Sequence, residues 1–124
     1  MKIEVSIGEV LDKLSILSIK KQRIKDPEKL KNVVKEWDHL YSELKLHGID
    51  TTGEEYSDLL TVNTELWEIE DALRELESKK AFDSRFVELA RSVYKTNDKR
   101  AEIKKTINIK YGSQFVEEKS YRSY

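Results

Sequence analysis

The sequence predicts an all-α fold, an antiparallel helical bundle of about four helices with a long hairpin between the third and fourth. Three observations carry that prediction. Apolar residues recur at helical spacing through four separate stretches. Each stretch opens on a residue able to cap a helix. One proline and four glycines leave few breakers in 124 residues, and a charged fraction of 38% suits long amphipathic helices.

The first helix spans about 7–24. Ser6 and Glu9 read as a capping box, with Val5 and Val10 at the positions of a hydrophobic staple around it. Ile7, Val10, Leu14, Leu17 and Ile24 carry its apolar pattern. The second helix, about 27–47, starts on Asp26-Pro27, an N-cap followed by a residue whose missing N–H costs nothing in the first turn. Leu30, Val33, Trp37, Leu40 and Leu44 form its seam, and Gly48 supplies the left-handed stop. The third, about 53–79, opens on a second capping box, Thr52 with Glu55. Leu59, Leu66 and Leu73 share one heptad position, and Val62, Ile69 and Leu76 the partner position. Leu60 and Trp67 widen that seam, giving the helix apolar surface for more than one neighbour. The fourth, about 84–111, is capped by Asp83, with Phe82 and Val87 at staple spacing. It carries Phe86, Leu89, Val93, Ile103 and Ile107 on one face and stops at Gly112. A tail, 113–124, holds Phe115, Val116 and two tyrosines, too apolar to stand free. The whole chain, 1–124, reads as one domain.

Charge chooses the neighbours. From Glu54 to Glu77 nine acids face one arginine, whereas from Arg91 to Lys110 seven basic residues face two acids. The first helix is also basic. The acidic third helix therefore pairs with the fourth and the first, the apolar seams supplying most of the stability and the charges the register. The stripe Arg91, Lys95, Lys99 has a sufficient partner in that acidic helix, and a net charge of −1 points away from nucleic acid. No run of about 18 apolar residues predicts a membrane span. The start of the chain has no signal-peptide pattern, and no cysteine is present, so the expected location is cytoplasmic.

No catalytic motif emerges: there is no Gly-rich phosphate loop, no Ser/His/Asp grouping and no zinc spacing. Glu36 and His39 have the Glu-x-x-His spacing of carboxylate-bridged di-iron bundles, but those need it on two helices. His39 and His47 lie too far round a helix to share an ion, so neither a metal nor a cofactor is expected. Glu65-x-x-Glu68 and Glu68-x-x-Asp71 resemble the magnesium clusters of all-helical nucleotide pyrophosphatases, without the second cluster those enzymes carry. The local inconsistency is in the fourth helix, where Thr96 and Arg100 take seam positions with Asn97 beside them. Such groups need partners. With carboxylates from Glu65 or Glu68, they form either a polar layer fixing register or a pocket holding an anionic ligand.

Three segments, EVSIGEVLDKLSILSIK, LWEIEDALRE and FVELARSVYKTNDKRAEIKKTIN followed by VEEKSY, resemble a family of small uncharacterised proteins of bacteria and their phages. The resemblance covers nearly the whole chain. It implies no activity and no catalytic residues, only a loose association with surface-polysaccharide genes. The expectation is a non-enzymatic helical assembly module that self-associates, a dimer first. The alternative is a small-ligand-binding bundle, an enzyme included, built on Thr96, Asn97, Arg100, Glu65 and Glu68.

Overall fold

A computed structural model describes residues 1–113, 115, 118 and 120. Four helices follow in order: α1 (Ile7–Arg23), α2 (Pro27–Leu46), α3 (Glu54–Ser78) and α4 (Ser84–Lys110). Three of the expected N-caps are made. Ser6 accepts the Glu9 amide, Asp26 accepts those of Glu28 and Lys29, and Asp83 accepts that of Phe86. The fourth is not. Asp50 takes both the amide and the hydroxyl of Thr52, at 2.8 and 2.7 Å, so α3 begins at Gly53 without a side-chain cap. Gly48 and Gly112 stop α2 and α4 at positive φ, where a side chain would be strained. The α3–α4 turn uses Lys80 at φ 53° for the same purpose, with the Ala81 amide donating to the Leu76 carbonyl.

α1 is the element on which the others converge. The α3–α4 hairpin packs along one side of it and α2 along another; among the described residues the α2 backbone comes close to no other helix. Seven of its 17 residues are buried, spread over more than one face: Gly8, Leu11, Asp12, Leu14, Ser15, Leu17 and Ile19. A seam spaced for a single neighbour does not describe such a helix. Leu11 and Leu14 join Leu44 of α2, Leu59 of α3 and Ile107 of α4 in the central core. Trp37 of α2 donates its indole N–H to Ser18 at 2.9 Å, and Ser18 shares a 2.7 Å hydrogen bond with the Tyr56 hydroxyl, so three helices are tied through one serine.

Gly8 explains how closely α1 and α4 approach. A Cβ there would lie 2.7 Å from the Lys104 carbonyl oxygen and 2.8 Å from the Asn108 side-chain oxygen. That same Asn108 oxygen accepts the Gly8 amide at 2.7 Å, and Ser113 accepts the Ile7 amide at 3.0 Å. Two amide donors that the first turn of a helix leaves without an intrahelical partner are thus satisfied from the far end of the chain.

The hairpin outruns the body. Its buried residues are Leu59, Val62, Asn63 and Leu66 on α3 and Thr96, Lys104, Ile107 and Asn108 on α4. Between Leu66 and Thr96 no residue is buried. Some 12 residues of each helix form an arm, about 18 Å long at 1.5 Å per residue. The staple expected at Phe82 is replaced by an edge-on contact with Phe86, and Phe82 and Val87 stay exposed. Phe115 is half exposed, and the expected packing of Val116, Tyr121 and Tyr124 lies outside the described residues. Among the described residues, no helix is long and apolar enough to cross a membrane.

Candidate functional site

The polar interruption in α4 meets α1, and this corrects the expected pairing. Arg100 Nε stands 3.5 Å from Asp12 Oδ1, not beside a carboxylate of α3. The reason is positional. α1 lies against the hairpin at the level of Asn63 and Arg100, so Asp12 arrives from a third helix and reaches the guanidinium first. Glu68 forms an ion pair with Arg23 at the end of α1, and Glu65 is exposed with no ion pair among the described residues. Thr96 is buried and Asn97 half-buried. The structure therefore brings Arg100 to Asp12 of α1, with Thr96 buried one turn away on α4, and leaves Glu65 and Glu68 out of that pairing.

Asp12 is the centre of the cluster and is 4% exposed. Asn63 donates its amide to Asp12 Oδ1 at 2.8 Å and to Ser15 Oγ at 2.7 Å, while Ser15 donates to the Asp12 carbonyl at 2.7 Å. One turn further along α4, the buried Lys104 forms an ion pair with Glu9. Glu9 thus turns toward α4 rather than back to Ser6. A carboxylate out of water needs donors, and Asp12 has an amide and a guanidinium. Among the described residues no buried side-chain nitrogen or oxygen lacks a hydrogen-bond partner. Within the cluster the Asp12 carboxylate is met by the Asn63 amide and the Arg100 guanidinium, and the Glu9 carboxylate by Lys104.

Asp12, Ser15 and Asn63 were not among the residues singled out from sequence. Their signal was present: Asp12 and Ser15 stand one turn apart among Leu11, Leu14 and Leu17, and Asn63 follows Val62 in the α3 seam. A polar pair on a hydrophobic helix is the same inconsistency as Arg100, read from the other side.

Two open grooves lie on the α1–α2 side of the molecule. One, of about 530 Å³, is lined by Glu9, Asp12, Lys13, Lys20 and Glu36 above Ile16 and Leu40; the other, of about 420 Å³, lies under Ile3 and Val5 with His39 and His47 at its rim. Neither is lined by Thr96, Asn97 or Arg100. Glu36 forms an ion pair with Lys13 at 2.9 Å, and His47 bonds the Glu43 carbonyl. Among the described residues no three His, Asp or Glu side chains converge as metal ligands.

A second polar network closes the base of the hairpin. Lys110 reaches Glu55 at 2.6 Å and holds its carboxyl below the usual value, while the Glu55 bond raises Lys110. Asp50 is lowered by its bonds to Thr52. Tyr56 is pushed up by burial, a shift the Ser18 bond partly offsets. Of the basic stripe of α4, Arg91 and Lys99 are exposed and form no ion pair with α3 among the described residues.

No curated protein and no solved structure matches the chain. Over residues 1–124 it matches the model of a family of unknown function, and the chain belongs to that family, DUF6165.

Proposed function

We propose that the protein is a non-enzymatic helical assembly module that works as a self-associated pair. The observation that carries this reading is the arm: the α3 seam continues through Ile69, Leu73 and Leu76, yet no residue of α3 past Leu66 is buried within one chain. Apolar surface repeated at helical spacing and left half-covered calls for another helix. Closed two-fold pairs are the commonest solution. The alternative, a ligand pocket around Thr96, Asn97 and Arg100, has less behind it, because Arg100 already has Asp12 and neither described groove is lined by Thr96, Asn97 or Arg100. Sedimentation equilibrium at micromolar concentration tests the reading. The expected mass is twice the 14.6 kDa of one chain. A single-chain mass at every concentration rejects it.

A further inference from the structure

Beyond its first turn, where Arg23 of α1 pairs with Glu68, the arm is a layer of two helices with no third helix against it among the described residues. Ile69, Leu73 and Leu76 on α3, and Phe86, Leu89 and Val93 on α4, are each only half-buried. Two helices cover a seam from one side; helical cores close when further helices cover the other. Phe82, 57% exposed, and Val87, 53% exposed, extend the apolar surface outward. Charge on the arm is separated by helix. Residues 67–78 of α3 carry five acids and one base, and residues 84–95 of α4 carry three bases and one acid. Taken together, 67–95 holds seven acids and six bases, so two arms approach without net repulsion of consequence. Some of these charges are used within the chain, Glu68 by Arg23 and Glu75 by Lys79, and others are left over. Glu70, Glu77, Arg85 and Arg91 are all exposed, and among the described residues none of them forms an ion pair.

We infer that the arm is the surface through which two copies of this chain join, as an intermolecular four-helix bundle with α3 of each copy beside α4 of its partner. The inference rests on the self-association reading and adds the surface to it. A two-fold operator brings an acidic helix against a basic one twice over, along both edges of the same apolar seam. The patch is complementary to itself, the property an isologous interface requires.

Single substitutions at exposed positions test this without disturbing the fold of one chain. Phe82→Glu and Val87→Glu should keep the helical circular dichroism of the unmodified chain and weaken association by at least about tenfold, since a charge set into an apolar contact opposes pairing. Leu46→Glu, 79% exposed on α2 away from the arm, should leave association unchanged. If the two arm variants still sediment as pairs, the surface is wrong while self-association stands. If the unmodified chain is a monomer, both readings fall. A second measurement uses charge: one chain carries Glu70→Lys and Glu77→Lys, the other Arg85→Glu and Arg91→Glu. Each alone should be monomeric, and their mixture should form a mixed pair. A mixture that stays monomeric overturns the α3-to-α4 arrangement.

Discussion

A guanidinium drawn out of water needs acceptors, so the burial of Arg100 is a question of partners. Asp12 is the deeper member, at 6% side-chain exposure against 29% for Arg100, and it is therefore the group stranded when the pair is broken. Arg100→Met leaves it the Asn63 amide alone, and the expected loss is about 1–3 kcal/mol, the range for a hydrogen-bonded charged group. Asp12→Asn removes the charge that needs compensating, so combining the two changes should recover part of the loss. A double-mutant cycle in urea should give a coupling above about 1 kcal/mol. Additive losses would mean that the pair does nothing for stability. That Arg100 needs an acid was legible in the sequence from its seam position. Which acid was not, because a hairpin partner is the nearest in register, and nothing local to α4 says that α1 lies across it.

Within α3 the same heptad seam passes through two environments. Leu66 is buried against the body, whereas Leu73, on the same heptad position, is half-buried on the arm. Leu66→Ala should cost about 2–5 kcal/mol, the transfer loss plus a cavity. Leu73→Ala should cost roughly 1 kcal/mol in dilute solution, where water already reaches the site. Its cost should grow with protein concentration, since association adds to the stability of whatever it covers. Urea melts at two concentrations make the comparison. Equal, concentration-independent losses would place the arm inside a closed core. Helix positions and three caps were readable because each depends on neighbours within four residues. The Thr52 cap was misplaced by a competitor two residues upstream, Asp50, with better geometry. Where the seam changes from buried to half-buried could not be read at all: periodicity records which face is apolar, not how many helices cover it.

At the scale of the molecule, the Trp37–Ser18–Tyr56 chain and the Lys110–Glu55 pair join its parts, and both respond to alkali. Burial holds the Tyr56 proton above its ordinary 10.0, and the Glu55 bond holds that of Lys110 above 10.5. Folded-state values above the unfolded ones mean stability that is whole below these ordinary values and is lost as pH rises through the folded ones. Melting temperature should therefore fall more steeply above about pH 10 than screening alone produces, and Tyr56→Phe should flatten the fall. An unchanged slope in that variant would place the loss elsewhere. The Gly8–Asn108 contact has a different kind of consequence, one for synthesis. The amides of Ile7 and Gly8 close on groups 106 and 100 residues downstream. α1 is made before every helix that buries it, and the side of it facing α4 stays wet until α4 has left the ribosome. The helix at the centre of the fold therefore cannot reach its final packing vectorially, as an N-terminal unit does, and the last turns of α4 set the moment at which the chain becomes native.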